Sequence, residues 1–475
     1  VSAEESPVCF EVSDCTEEVE PVLLAEQPDG WFVDWSGTME RDGDTARFMV
    51  TDATENVVFN LFEIEQLPSP EKTVSDRATD LHESTNSADV LVVAHEMFLD
   101  PVLDPWLELR RQQGYRVDLL DVQDIYDEYN YGQPSCQAIK DFLADTLLLW
   151  EPPLPQYLVL IGDASRDHKD NYGTGVRDLI PCYTPEHDPE AYASDVWYTY
   201  LFGGENDTLP EMILGRISVR SVEELGHVIE KIVDYEENSE IGPWRARNVF
   251  VNDDTFREDA IDTLQTSVPP SFENRFVNQS EFPHVTLSYL YHMRNMEEKY
   301  APKCTWEIID AFNQGALLLQ YYGHGGNQMW SHERILVGTD RNVSEVLLFD
   351  EHGRLPVVVN WSCLTGYVNF NIPPFHVCLA EELLRQPGKG GIAVWAPSEN
   401  GSTEQHKILA HHLVRVLGEE RPLILGDVIE NSRLDFSLVT DYSGVLRQYI
   451  LFGDPLVRLS LPTYTAQLEC EPTVV

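Results

Sequence analysis

The stretch Ala316-Leu-Leu-Leu-Gln-Tyr-Tyr-Gly-His-Gly-Gly326 runs from an apolar segment into a glycine-rich turn that carries His324. A second stretch of the same design, Pro356-Val-Val-Val-Asn-Trp-Ser-Cys-Leu-Thr-Gly366, carries Cys363. Continuous apolar runs of this length are typical of strands that are buried on both faces of a parallel sheet. The spacing between the two leaves room for one crossover connection. We therefore predict two parallel strands whose carboxyl ends place an imidazole and a thiol at one edge of a sheet.

Similar apolar runs recur along the chain and alternate with amphipathic helical segments. Val90–Ala94, Tyr157–Ile161, Val249–Val251 and Gly391–Trp395 have the composition of buried strands. Between them, Ser221–Tyr235 begins with a capping box and continues with an apolar stripe at helical spacing. Alternation of this kind predicts an α/β sandwich with a mainly parallel sheet.

The first 86 residues differ from the rest in composition. They contain 21 acidic and 4 basic residues, and short apolar stretches alternate there with Gly/Asp turns. This pattern predicts a small acidic β domain, followed by a linker rich in Pro, Ser and Thr over residues 66–87. Residues 462–475 are predicted to be a C-terminal tail.

The chain is strongly acidic, with 32 Lys+Arg against 81 Asp+Glu and a formal net charge of -49. A field of this sign repels phosphate, so we expect no nucleic-acid partner and no docking on anionic membranes. Since no apolar run reaches 18 residues, we also expect no membrane insertion. Two explanations of the charge stay open: adaptation to high salt, or secretion as an acidic protein that binds Ca²⁺.

A thiol and an imidazole at one sheet edge suit nucleophilic catalysis. Histidine can take the proton of the thiol near neutral pH and later protonate a leaving amine. Glycine after the histidine lets the backbone approach a substrate and directs an N–H at an oxyanion. Either residue alone has an ordinary interpretation, Cys363 as a small core residue and His324 as part of a turn. Together they favour a cysteine hydrolase.

The order of several short motifs resembles the gingipain family of caspase-like cysteine peptidases. The stretches that carry the resemblance, all within Ala88–Leu461, are Gly114-Tyr-Arg-Val117, Asp124-Ile-Tyr126, Tyr157-Leu-Val-Leu-Ile-Gly-Asp163, Ala193-Ser-Asp195, Ile213-Leu-Gly-Arg-Ile-Ser-Val219, Tyr322-Gly-His-Gly325, Asn360-Trp-Ser-Cys-Leu-Thr-Gly366 and Leu451-Phe-Gly-Asp-Pro455. The resemblance implies a caspase-like fold with an N-terminal subdomain at residues 87–240 and a catalytic subdomain at 241–461.

The resemblance also implies roles for individual residues. Cys363 would be the nucleophile, His324 the general base and acid, and the N–H groups of Gly325 and Cys363 the oxyanion hole. Asp163 would orient His324, with a turn or capping role as the alternative. Asp195 would bind a basic P1 side chain, with a structural role as its rival.

As a whole, these features predict a secreted or cell-surface cysteine endopeptidase that acts on protein or peptide substrates. Catalysis is expected to require no cofactor, whereas the acidic loop His187-Asp-Pro-Glu190 is either a structural Ca²⁺ site or an ordinary solvated loop. Two alternatives stay open: a catalytically silent relative that serves as a binding module, and a zymogen held latent by residues 1–86.

Overall fold

The computed structural model divides the chain into two compact units, Val1–Arg77 and Ala78–Val475. The residues that it describes are 8–12, 21–26, 32–34, 39–42, 45–50, 58–63, 79–185, 192–204, 207, 209–254, 272–282, 301–339, 344–369, 377–440 and 443–462. The predicted division of the larger unit near residue 240 stays a prediction.

The smaller unit is built from antiparallel strands. Its strands are β1 (Val8–Val12), β2 (Pro21–Glu26), β3 (Phe32–Asp34), β4 (Met39–Asp42), β5 (Thr45–Val50) and β6 (Val58–Glu63). They form two three-stranded sheets in the orders β1-β5-β4 and β3-β2-β6. Buried Leu23, Ala46 and Phe48 supply the apolar contacts described in this unit.

The larger unit is organised around one ten-stranded sheet. Its strands are β7 (Val90–Ala94), β8 (Val117–Asp121), β9 (Tyr157–Ile161), β10 (Ile213–Ile217), β11 (Arg247–Asn252), β12 (Glu273–Asn278), β13 (Leu318–Tyr322), β17 (Val357–Trp361), β18 (Ala393–Pro397) and β19 (Tyr449–Phe452). The order is β12-β11-β13-β17-β18-β19-β10-β9-β7-β8. Three two-residue strands, β14 (Gly325–Gly326), β15 (Met329–Trp330) and β16 (Leu336–Val337), form a separate small sheet beside it.

Helices cover the sheet. In the described part of the chain they are α1 (Asp104–Gln112), α2 (Val122–Asn130), α3 (Cys136–Leu149), α4 (Val222–Glu237), α5 (Pro302–Gln314), α6 (Leu379–Arg385), α7 (Thr403–Arg415), α8 (Leu425–Val439) and α9 (Ser443–Gln448). None of the described helices is long and apolar enough to span a bilayer.

The alternation of side chains along β7 shows why its sequence is continuously apolar. Val90 and Val92 pack into the core beneath α1 and α4, whereas Leu91 and Val93 pack into a second core beneath α2 and α3. Successive side chains of a strand point to opposite faces, so a strand covered on both faces is apolar throughout. The predicted α/β sandwich with a mainly parallel sheet is confirmed.

The direction of the strands reverses once across the sheet. All pairings are parallel except that between β18 and β19, which is antiparallel. As a result, β11, β13 and β17 end at one edge of the sheet, whereas β7, β9 and β10 end at the opposite edge. Residues that follow strands of the two halves are therefore kept apart.

Candidate active site

Three neighbouring parallel strands end side by side at the first of these edges. Asn252 of β11 is in register with Tyr322 of β13, and Tyr322 is in register with Trp361 of β17. The chain then continues into Asp253 after β11, His324 after β13 and Cys363 after β17. Parallel strands deliver their carboxyl ends to a common edge, so a carboxylate, an imidazole and a thiol are brought to one place by topology alone.

Asp253 holds His324 through two hydrogen bonds. Its Oδ2 lies 2.8 Å from the ring Nδ1 of His324 and accepts the backbone N–H of the same residue at 2.7 Å. The Asp253 side chain is only 1% exposed, whereas that of His324 is 35% exposed. The hydrogen bond from Asp253, opposed by partial burial, raises the pKa of His324. With Nδ1 assigned to the carboxylate, Nε2 is the nitrogen that serves proton transfer.

Cys363 is a largely buried thiol in the turn after β17. Burial raises its pKa, the backbone N–H of Gly401 acts in the opposite direction, and the charge of Glu399 adds to the rise. The thiol is therefore protonated at neutral pH in the resting site, and a base has to remove its proton before attack. The next residue, Leu364, has a left-handed backbone with φ of 58° and donates its N–H to the carbonyl oxygen of Glu399 at 3.2 Å.

Gly325 is the point at which the His324 turn meets the Cys363 turn. A Cβ at this position would lie 2.4 Å from the carbonyl oxygen of Cys363 and 2.8 Å from Oγ of Ser362. No real side chain fits such a gap, so glycine is required for the two turns to approach each other. The carbonyl oxygen of Trp361 accepts the N–H of Gly323 at 3.2 Å and ties the same turns together.

Asp163, predicted to orient His324, lies elsewhere. It follows β9, at the edge opposite to His324, and its carboxylate is paired with Arg220 and with Arg385 of α6, the latter at 3.2 Å. Burial by itself would raise the pKa of Asp163, but the two guanidinium groups outweigh burial and hold the pKa below its usual range. The prediction that Asp163 orients His324 is therefore wrong, and Asp253 is the partner of His324. The physical reason is the reversal between β18 and β19, which places the end of β9 and the end of β13 at opposite edges of the sheet.

The carboxylate of Asp195, predicted to bind a basic side chain of the substrate, is already paired with an arginine of the protein itself. Its carboxylate forms a bidentate pair with Arg216 of β10, with Oδ2 2.7 Å from Nε and Oδ1 2.6 Å from Nη2. Both side chains are buried, at 1% and 0% exposure. The remaining donors of Arg216 bond to the carbonyl oxygens of Gly162, Ile180 and Pro181. Asp195 is therefore a structural partner of Arg216, and its substrate-binding assignment is corrected.

Sequence reasoning missed Asp253 although its signal was present. Val249–Val251 is predicted as a strand, and Asn252-Asp253-Asp254 follows it directly. The expectation that residues directly after a buried strand lie at the sheet edge, which predicts His324 and Cys363, also predicts a carboxylate here.

Among the residues that the structure describes, no group of three or more His, Cys, Asp or Glu side chains is arranged to hold an ion. The acidic loop at residues 187–190 lies outside the described residues, so a calcium site there stays a prediction.

The fold and the strand-edge residues have the arrangement expected of the gingipain-like cysteine peptidases. The sequence profile described as "Peptidase family C25" matches residues 83–460, and the chain belongs to that family. The predicted family and fold class are thus confirmed.

Individual relatives agree with this assignment. Gingipain R2 of Porphyromonas gingivalis is 26% identical over 407 residues, which cover 82% of this chain and 48% of the relative. Lys-gingipain of the same organism is 23% identical over 66% of this chain and 16% of its own length. The chain therefore spans about half the length of the gingipain R2 that it matches.

Solved structures show the same fold. The Arg-specific cysteine proteinase gingipain R superposes with a TM-score of 0.59 at 22% identity, covering 80% of each chain. The complex of the P. gingivalis RgpB pro- and mature domains gives 0.60 at 22% identity, covering 78% of this chain and 80% of the other. Latent PorU from the same organism gives 0.53 at 17% identity, covering 96% of this chain and 38% of PorU.

Proposed function

We propose that this protein is a cysteine endopeptidase in which Cys363 is the nucleophile and His324 the general base and acid, oriented by Asp253. The observation that carries the proposal is the hydrogen bond of 2.8 Å between the carboxylate of Asp253 and Nδ1 of His324. His324 follows β13, which is paired with β17, the strand that leads to Cys363. A carboxylate on Nδ1 selects the tautomer that a general base needs and stabilises the imidazolium that forms.

The proposed reaction is acyl transfer in two halves. Nε2 of His324 takes the thiol proton as the sulfur of Cys363 attacks the substrate carbonyl carbon. The N–H groups of Gly325 and Cys363 stabilise the resulting oxyanion. His324 then gives its proton to the leaving amine, and a thioester remains on Cys363. A water molecule, deprotonated by His324, hydrolyses the thioester and restores the thiol. No cofactor takes part in any of these steps.

The proposal predicts that replacing one sulfur abolishes turnover. Cys363→Ala is expected to lower kcat to background on peptide substrates while the melting temperature stays close to that of the parent. Cys136→Ala is the matched control, because Cys136 is another free thiol whose pKa burial raises to about 11. Iodoacetamide is expected to label Cys363 before Cys136. Full activity in the Cys363→Ala protein would contradict the proposal and favour a silent binding module.

For specificity, we propose cleavage after basic P1 residues, Arg before Lys, with Glu399 as the recognising carboxylate. Glu399 is half-buried, and its charge acts on both Cys363 and Tyr367. Its Oε1 accepts two hydrogen bonds of 2.8 Å from Asn400, which leave the other oxygen for a substrate cation. A guanidinium adjacent to such a carboxylate gains a charge-assisted hydrogen bond that a neutral P1 side chain lacks.

Glu399→Gln tests this specificity separately from catalysis. We expect it to reduce the ratio of kcat/KM for P1 Arg over P1 Gln substrates by about 10-fold or more, because a half-buried charge pair is worth roughly 1–3 kcal/mol. Glu404→Gln is the control, since Glu404 is an exposed carboxylate five residues along the chain. An unchanged ratio in Glu399→Gln would place the specificity pocket elsewhere.

Two further parts of the proposal concern state and location. We propose that the protein acts outside the cell or at its surface, as the gingipain resemblance implies. If residues 1–86 hold the enzyme latent, limited proteolysis within the first unit should raise kcat without any change at Cys363.

A further inference from the structure

A second histidine lies against the ring that we assign as general base. The imidazoles of His324 and His332 have centroids 4.3 Å apart and planes inclined by 32°. This is the separation of a tilted stack, within the range in which paired aromatic rings stabilise each other's position. The reaction proposed above assigns no role to His332.

The backbone just before His332 has an unusual conformation. His332 follows β15, and Ser331 just before it has a left-handed backbone with φ of 59°. Such a conformation is unfavourable for a residue with a side chain and persists only where the surroundings enforce it. Here the N–H of Ser331 donates to the carbonyl oxygen of His324 at 2.8 Å, so the strained residue is tied directly to the base.

Buried side chains hold the turn in that conformation. Oγ of Ser331 donates to Oε2 of Glu333 at 2.8 Å and accepts the backbone N–H of Glu333 at 3.0 Å. Ser331 and Glu333 are both only 2% exposed. Beneath the turn, Trp330 stacks on Tyr321 with centroids 4.5 Å apart and donates its Nε1–H to Oδ1 of Asn360 at 2.6 Å. The platform under His332 is therefore rigid.

Acidic side chains surround the His324 imidazole. Asp253 and Asp254 after β11 and Glu333 after β15 all act on His324 and favour its protonated form. The ring of His332 contacts the same imidazole directly, so it restricts the orientations that the imidazole can take among these carboxylates.

We infer that His332 is a positioning residue for His324: its ring packs against the His324 imidazole and holds it in the orientation that proton exchange with Cys363 requires. The inference rests on the proposed function, because it assigns His332 a role only if His324 transfers protons. His332 itself is not placed in contact with the reacting atoms.

Three variants separate the ring from its polar atoms. His332→Ala removes both, His332→Phe keeps an aromatic ring without polar atoms, and His332→Gln keeps polarity without a ring. We expect His332→Ala and His332→Gln to lower kcat by about 3- to 10-fold with KM unchanged. This loss of rate corresponds to the free energy of one aromatic pair. His332→Phe should recover most of the lost kcat. His82→Gln, in which an imidazole with a 51% exposed side chain is removed, is the control.

A titration that does not depend on activity completes the test. In Cys363→Ala protein with isotope-labelled histidine, the His324 signal is identified by its loss in His324→Gln and followed by NMR against pH. We expect its pKa to fall in His332→Ala and His332→Gln, because an imidazole that is no longer held keeps a less regular hydrogen bond to Asp253, whereas His332→Phe should keep the parent value. The melting temperature of each variant shows whether the fold has survived.

The possible outcomes separate the two proposals. If kcat in all three variants equals that of the parent, and the pKa of His324 does not change, the role of His332 is overturned while the peptidase proposal stands. A rise in KM with kcat unchanged also overturns it, since that result means that His332 binds substrate. An inactive parent enzyme whose His324 titration still responds to His332 substitution contradicts the proposed function, and with it the catalytic purpose of His332, but upholds the contact by which His332 orients the ring.

Discussion

Asp253 binds His324 twice, through the ring Nδ1 at 2.8 Å and the backbone N–H at 2.7 Å, with the same carboxylate oxygen. The pair connects two adjacent strand ends, β11 and β13, and one of its members is buried. A bond of this kind fixes both the tautomer and the orientation of an imidazole. The partner of the histidine is thus supplied by the neighbouring strand of the same half-sheet.

The first prediction concerns this pair. Asp253→Asn should lower kcat by about 10²- to 10⁴-fold, the range expected when a general base loses its orienting carboxylate. The hydrogen bond from Asp253 raises the pKa of His324, so its loss lowers that pKa. We therefore expect the acidic limb of the kcat/KM profile, which reports protonation of the imidazole base, to move to lower pH. Asp254→Asn is the matched control and should keep kcat within a few-fold of the parent.

The second prediction uses two adjacent glycines. Gly325→Ala should lower kcat/KM by about 100-fold or more, because its Cβ would meet the Cys363 carbonyl oxygen at 2.4 Å and separate the two turns. Gly326→Ala should be mild, since its closest contact is the flexible end of Met329 at 3.2 Å. Comparable activities for the two variants, measured on one peptide substrate, would contradict the close approach.

The third prediction separates stability from specificity at Asp195. Asp195→Asn leaves the buried guanidinium of Arg216 without its counter-charge and should reduce the free energy of unfolding by about 3–5 kcal/mol. The preference for P1 Arg over P1 Gln should not change. Urea unfolding and the substrate ratio provide the two measurements.

The fourth prediction concerns acid stability. The pKa of Asp163 is held below its ordinary value of 3.8, so its ion pairs contribute stability above that pH and lose it as the pH falls below. Asp163→Asn should therefore reduce the free energy of unfolding at pH 7, and its difference from the parent should shrink below about pH 4. Asp141→Asn, at an exposed helix position, is the control. The kcat of folded Asp163→Asn should stay near that of the parent.

The fifth prediction concerns salt and metal. At a net charge of -49 the acidic side chains repel one another, and salt screens this repulsion. We therefore expect the melting temperature to rise as KCl increases from dilute to molar concentrations. EDTA should leave kcat unchanged if no metal takes part in catalysis. If millimolar Ca²⁺ raises the melting temperature as much as molar KCl, a bound ion and not general screening stabilises the protein.

Much of the architecture follows from local sequence. Apolar runs such as Val90–Ala94 and Val357–Trp361 indicate strands covered on both faces, and the residues directly after such runs lie at a sheet edge. The same pattern predicts His324 and Cys363 as residues of the site. Both inferences use only the period of a strand and the position of its end, which neighbouring residues determine.

The choice of carboxylates required the tertiary structure. Asp253 meets His324 because β11 pairs with β13, although 65 residues separate the two strands along the chain, whereas Asp163 is kept away by the reversal between β18 and β19. Asp195 turns inward because Arg216 needs a counter-charge inside the protein. Local sequence thus determined which residues lie at the ends of strands. Strand order and burial decided which of these residues meet, because strand order and burial depend on contacts between distant segments of the chain.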